Sequence, residues 1–301
     1  IQNIQVYIKS RPRSLIEHIQ GTNYNINSKR GSIKILPSER AYSSEIYNTD
    51  IRAMMDNIQQ IEEANAAYVV IAPCHFIYTQ DFNELVEEHI KSGNDITMLY
   101  QIVNNADKNF VNCDTLDIDE NKVVKAIGTN RGSKKKASIS LETYVMSKKL
   151  LIDLLHAGLN ISSVYSLRDT IVDTFDDFKV GAYCHAASAY CISSLRAYCN
   201  STMHIRKENK VKALITDEWP IHTNTNDSCP TLYSEDADVK GSIIGNGCII
   251  EGTVINSVIG RNVVIKKGTV VKDSIVLPNA LINKNVTLEN CVVDKYAIVT
   301  H

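Results

Sequence analysis

The stretch VKGSIIGNGCIIEGTVINSVIGRNVVIKKGTVVKDSIVLPNALINKNVTLENCVVDKYAIV, residues 239–299, constrains the fold more than any other part of this chain. Paired aliphatic residues recur at 243/244, 249/250, 254/255, 258/259, 263/264, 270/271, 275/276, 281/282, 292/293 and 298/299. The step is five or six residues, with Gly, Asn and Lys between the pairs. A helix repeats its apolar face every three to four residues and cannot generate this pattern. A coil of short strands can, when each strand is one side of a triangular prism and points an aliphatic side chain into it. The repeat therefore predicts a left-handed parallel β-helix over residues 239–301. Prisms of this kind present flat faces and open ends, which makes self-association an expectation.

The preceding part has a different grammar. IQVYI at 4–8 and IKIL at 33–36 read as strands, and Ser14 is placed to cap a helix over SLIEHI. The run 45–66 puts Ile46, Ile51, Met54, Met55, Ile58 and Ile61 on one face of a single helix. AYVVIA then leads through IAPCHFIYTQD into a helix capped by Asp81, with Phe82, Leu85 and Ile90 facing inward and Gly93 closing it. DITMLYQIV follows as a strand. Such β-α-β units predict an α/β domain with a mostly parallel, doubly wound sheet. LDIDENKVVKAI reads as two strands around an acidic turn, followed by a strand, two helices, a further strand and the helix SLRAYCNSTMHI. Composition changes near residue 215, so the expected organisation is an α/β domain over 1–214, a linker over 215–238 and the β-helix beyond it. The chain starts inside a strand-like run without an initiator Met and reads as part of a longer protein.

A net charge of −2 offers no basic excess for nucleic acid or a membrane surface, and no apolar run is long enough to span a bilayer. With no signal peptide pattern at the N-terminus, the expected location is the cytoplasm. The eight cysteines form no C-x-x-C pair and read as small core residues, and the eight histidines form no metal-ligand pair. A metal bound by this chain is therefore not expected. RGSKKK at 131–136 is a solvated loop or, less readily, an anion site. An acyltransferase role for the β-helix would need a histidine base within the coils, and His301 stands only at the end.

The order of parts and several motifs resemble the glucose-1-phosphate adenylyltransferase (ADP-glucose pyrophosphorylase) family. SLIEHI is similar to its SLxxHL, LDIDENKVV to VDEDxRI, SLETYVM to SMGIYVF, SLRDTI to FGKDII, WPIHT to DWPIYT and SIVLPNALI to SVLLPGVVI. The resemblance implies a nucleotide-diphospho-sugar transferase-like α/β fold. It also implies a family reaction, ATP plus glucose 1-phosphate giving ADP-glucose and pyrophosphate with Mg²⁺.

The family's functional positions are altered here. Its Gly-rich loop GxGxRLxPLT would precede the first residue of this chain, so an N-terminal part of the domain is expected to be missing. Its SGDH motif falls on Ala72, Pro73, Cys74 and His75, which puts Cys74 where a metal carboxylate belongs. The second carboxylate falls on Cys191, after Tyr190 in ASAYCISS. The sugar-phosphate lysine falls on Thr129, GTADA has become TDIRA at 49–53, and Asp169 keeps a family Asp at a helix start. Thiols do not replace oxygen ligands of Mg²⁺. The resemblance thus points to a GlgD-type regulatory subunit with no catalytic residues and a degenerate pocket at His75, Thr129, Asp169 and Tyr190. It would bind no cofactor itself, with Mg²⁺ in a catalytic partner subunit that it joins in a heterotetramer. Arg11, Arg13, Lys29 and Arg30 are basic residues on the side where family effector sites tend to lie. A Cys74–His75 nucleophile pair is disfavoured, because adjacent strand-end residues point apart. An active nucleotidyltransferase with its metal carboxylates in the missing N-terminal part or in residues such as Asp81 and Asp169, and a sugar-nucleotide-binding or scaffold protein, remain the alternatives.

Overall fold

The computed structural model describes residues 3–8, 12–20, 32–37, 49–214 and 227–300. The chain divides into two compact units, Ile1–Ala189 and Tyr190–His301.

In the first unit β1 (Asn3–Ile8) pairs in parallel with β2 (Ser32–Pro37), on either side of helix α1 (Pro12–Gln20). The helix begins at Pro12, so Ser14 lies inside it and is not the cap. Proline suits a first helical position, where its missing N–H has no partner to lose. The single helix expected over 45–66 is, in its described part, two: α2 (Asp50–Met55) and α3 (Ile58–Glu62). Asn57 makes the break, its Nδ2 donating to Ala53 O at 3.0 Å and Pro37 O at 3.3 Å. A short amide side chain that bonds nearby carbonyls offers the backbone an alternative to helix.

The main sheet is built from β3 (Tyr68–Ile71), β5 (Ile96–Val103), β6 (Asp114–Ile118), β7 (Val124–Thr129), β8 (Ala137–Ser147) and β9 (Val180–Cys184), with the two-residue β4 (Phe76–Ile77) beside it in sequence. Its order is β7-β6-β8-β5-β9, and β3 pairs with the last residues of β8. β5 and β9 are parallel, as the βα grammar predicts. β3 and β5 also run the same way, but β8 lies between them and is antiparallel to both, which makes the sheet mixed. Helix α4 (Phe82–Ser92) has Asp81 as its cap, accepting from Asn83 N at 2.8 Å, and ends at Gly93 with φ +62°. Leu85 is buried as expected, whereas Ile90 is exposed and His89 takes the inner position four residues after Leu85. The core joins α2, β5, β8, α6 (Lys148–Ile161) and α7 (Leu167–Asp173), with Ile51, Met98, Met146, Leu155 and Leu167 fully buried. A short helix α5 (Ala106–Asn109) completes this unit.

The second unit starts with β10 (Tyr190–Cys191), α8 (Leu195–Ile205) and α9 (Glu208–Leu214). These helices group with the β-helix, although composition suggests a boundary near residue 215. Arg206, at the end of α8, donates to Gly241 O and to Asn256 Oδ1 at a β-helix corner. The β-helix has three parallel sheets of five, four and four short strands. Ile249 pairs with Val264 and Val264 with Leu281, so successive coils are 15 and 17 residues long. In these strands the residue after each of them fills the prism, Ile250, Ile265 and Ile282 being wholly buried. Its first strand is Leu232–Tyr233, seven residues before the expected start at 239, paired with Ile249–Ile250. That end coil is half exposed, so it carries no strict aliphatic pair that would betray it.

Two ladders hold the corners. One aligns left-handed residues, Gly247 (φ +77°), Asn262 (φ +58°), Asn279 (φ +64°) and Tyr296 (φ +60°). Asn262 Nδ2 donates to Asn279 Oδ1 at 3.2 Å, and Ser228 Oγ donates to Asn262 Oδ1 at 3.1 Å. Only Gly adopts this backbone freely, and Asn comes next because its amide can bond locally. The other is a ladder of hydroxyls in which Ser257 N donates to Ser242 Oγ, Ser274 N to Ser257 Oγ and Cys291 N to Ser274 Oγ, at 3.0, 3.1 and 3.2 Å. Cys291 is thus a ladder member as well as a small packed residue.

Candidate functional site

The pocket positions of the first unit converge on the Asp114–Arg168 pair. Thr129, at the exposed end of β7, is the strand partner of Asp114. Arg168 Nε donates to Asp114 Oδ2 at 2.6 Å, and Arg168 NH1 donates to Asp169 Oδ1 at 3.1 Å. Asp169 is tied in turn to its own helix start: Ser166 Oγ donates to Asp169 Oδ2 at 2.6 Å while accepting from Asp169 N, a reciprocal capping box on α7. Asp50, within TDIRA, accepts from Leu167 N at 3.2 Å. Asp169 is thus bound to Arg168 directly, while Thr129 is tied to the pair through the β6–β7 register and Asp50 through the start of α7.

The electrostatics follow from burial and this sharing. Burial pushes the Asp114 carboxyl up, Arg168 only partly opposing it, while Glu142 and Asp169 add to the rise. Burial also works against Asp169, but its bonds to Ser166 and Arg168 prevail and hold it below the usual carboxylate range. The Arg168 charge is favoured, since its two carboxylates outweigh the cost of burying it.

His75 is brought to the same neighbourhood by a residue that sequence reading overlooked. Its Nε2 lies 3.5 Å from Glu142 Oε1, with both side chains about a third exposed, at 37% and 32%. Glu142 sits in a bulge of β8: Leu99 faces Thr143 but Tyr100 faces Ser140, so Leu141 and Glu142 are looped out. Its φ is +49° and its N–H donates to Ser140 Oγ at 3.0 Å. The signal was available, because Glu142 is the single charged residue in ASISLETYVMS, and it falls on the glycine of the family's SMGIYVF.

On Thr143 the hydroxyl meets Tyr78 OH at 2.6 Å, and the Tyr78 ring stacks edge-on against His185 at 5.6 Å. His185 Nδ1 bonds Gln80 Oε1 at 2.9 Å, and burial pushes the pKa of this imidazole down. Cys74 is exposed, and the His75 ring nitrogen Nε2 faces Glu142. Asp81 is occupied as the α4 cap.

In the second unit Tyr190 and Cys191 are 6% and 1% exposed. His204 Nδ1 lies 3.3 Å from Tyr190 OH, and Cys191 O accepts from Ser201 Oγ at 3.5 Å. Mg²⁺ requires oxygen ligands in near-octahedral geometry. An exposed thiol at Cys74 and a buried one at Cys191 do not fit that ion. Among the described residues no group of three or more His, Cys, Asp or Glu side chains forms a metal-ligand set. Arg13 is exposed on α1, and Arg11, Lys29 and Arg30 lie outside the described residues. RGSKKK forms a mostly exposed loop before β8. No described helix is long and apolar enough to cross a membrane.

A mixed α/β sheet with a converging polar site, followed by a hexapeptide β-helix, defines a nucleotide-diphospho-sugar transferase-like architecture. Residues 231–301 match the family model "GlmU-like, C-terminal hexapeptide". The glycogen biosynthesis protein GlgD of Geobacillus stearothermophilus is 29% identical over 273 residues, covering 90% of this chain and 69% of that protein. GlgD of Bacillus subtilis is 23% identical over the same coverage. The glucose-1-phosphate adenylyltransferase of Fervidobacterium nodosum is 27% identical over 303 residues, 99% of this chain and 72% of that one. The resemblance read from the motifs is thereby borne out: over nine-tenths or more of its length the chain is similar to GlgD proteins and glucose-1-phosphate adenylyltransferases.

Proposed function

We propose that this chain is a non-catalytic, regulatory subunit acting in glycogen biosynthesis beside a catalytic glucose-1-phosphate adenylyltransferase. The similarity to GlgD proteins and to the adenylyltransferases supports the pathway. The observation that carries the non-catalytic reading is the pair of thiols at the family's metal positions, one of them, Cys191, sealed from solvent at 1% exposure. A buried thiol cannot bridge a hard cation to phosphate oxygens. Arg168 also supports it, because its guanidinium is already shared between Asp114 and Asp169. In this reading the chain joins the catalytic subunit in a cytoplasmic hetero-oligomer, a tetramer, and binds no cofactor of its own. Its β-helix offers a rigid surface for that assembly.

The test is ADP-glucose synthesis by the purified chain alone, by a catalytic subunit alone and by their mixture, with complex formation followed by size-exclusion chromatography. No turnover alone, a co-eluting complex and an altered rate or effector response in the mixture are expected. Turnover by the chain alone, or a catalytic subunit indifferent to it, overturns the proposal.

A further inference from the structure

Glu142 is the only non-glycine residue within the described strands of the first unit that has a left-handed backbone. A left-handed conformation costs a non-glycine residue on the order of 1 kcal/mol or more, and such outliers persist where the surroundings hold them. This one lies in the β8 bulge, its N–H donating to Ser140 Oγ, and its carboxylate is 3.5 Å from Nε2 of His75, just beyond the end of β3. In open α/β sheets the crevice at strand carboxyl ends is where ligands enter. The His75–Glu142 pair joins the end of β3 to the β8 bulge, the place in the sheet where such a crevice opens.

The charges behind the pair reinforce the effect. The Glu142 charge adds to the rise of the Asp114 pKa, which puts the two carboxylates within electrostatic reach of each other. Arg168 is bound by Asp114 and Asp169. Asp50 is bound to the N–H of Leu167. A phosphate dianion in this region would be opposed by the Glu142 charge and offered a guanidinium already shared by two carboxylates.

We propose that Glu142, latched by His75, closes this crevice to sugar phosphates, by its charge and by its bulk. The proposal rests on the non-catalytic reading and supplies the residue that excludes substrate from the pocket. Removing the side chain is structurally mild, because φ +49° suits glycine.

The experiment titrates the full chain with glucose 1-phosphate, and separately with glucose, by isothermal calorimetry for wild type, Glu142→Gly and Glu142→Gln. Thermal melts establish that each variant is folded. Glu142→Gly is expected to bind glucose 1-phosphate at least about tenfold more tightly than wild type, the size of effect that one like charge in a partly buried site can produce. Glu142→Gln, which keeps the bulk and drops the charge, is expected to gain for the phosphorylated sugar and not for glucose. Wild type binding glucose 1-phosphate as tightly as both variants overturns the proposal, as does a folded Glu142→Gly with no gain. Neither outcome bears on whether the chain activates a catalytic partner, so the two proposals fail separately.

Discussion

Replacing Gly247 by Ala tests the account of the β-helix corners. Gly247 has φ +77°, and a Cβ built on it would overlap Asn262 Oδ1 and lie 3.1 Å from Ser228 Cβ. The left-handed backbone alone costs an alanine about 1–2 kcal/mol. Pushing Asn262 aside breaks its bonds with Ser228 and Asn279. At about 0.5–1.5 kcal/mol each, these add about 1–3 kcal/mol. The lower entropy of the unfolded alanine chain returns less than about 1 kcal/mol, leaving a net loss of roughly 2–4 kcal/mol. Urea denaturation of the full chain, followed by circular dichroism through the transition that unfolds the β-helix, reads it. The control is Asn262→Gly, which accepts φ +58° and removes the obstructing amide. In that background Gly247→Ala should lose only the backbone part, a coupling of about 1–2 kcal/mol between neighbours. A Gly247→Ala chain within about 0.5 kcal/mol of wild type, or a loss unchanged by Asn262→Gly, refutes the reasoning.

Two further outcomes follow from the same structure. Ser257→Ala should destabilise the β-helix by about 1–3 kcal/mol, because it leaves the Ser274 N–H without its acceptor in a dry interior; unfolding midpoints in urea check it. Asp169→Asn should lose about 1 kcal/mol at pH 7, the worth of a cap at a partly exposed helix start. Asp169 has a depressed folded pKa, so its contribution is present above the ordinary value of 3.8 and lost as pH falls below it. The gap between wild type and Asp169→Asn should therefore be full at pH 5 and narrower at pH 3, closing further as pH falls through the depressed folded pKa, which melts at both values measure.

The β-helix was legible because Ile250, Ile265 and Ile282 must each point into one narrow prism, which forces the period into the sequence. Its first coil was not, since Leu232 and Tyr233 stand 64% and 49% exposed and answer to no such demand. Helix periodicity located α2 and α3 but missed the break, which depends on Asn57 reaching the carbonyl of Pro37, twenty residues earlier. Counting apolar residues chose Ile90 where the geometry chose His89, whose Nδ1 lies 2.8 Å from Thr97 Oγ1 inside the fold. The insertion of β8 between β3 and β5 is a non-local pairing that no window reveals. At the site the motif positions Thr129 and Asp169 were readable one at a time. Their link was not, because it runs through Arg168 and Asp114, 54 residues apart.

The ladders of the β-helix have a consequence for how such a chain can change length. Gly241, Asn256, Asp273 and Asn290 all share the left-handed backbone at successive coils, and the serine rungs beside them keep the same spacing. Adding one residue inside a strand would turn the aliphatics beyond it outward, whereas a corner can take extra residues, as the one after Ile265 does relative to the one after Ile250. Adding a whole coil would leave each rung with the neighbour it needs, since each repeat touches only the next. The domain can therefore grow or shrink by whole turns without disturbing its rungs, while differences of a residue or two are confined to the corners.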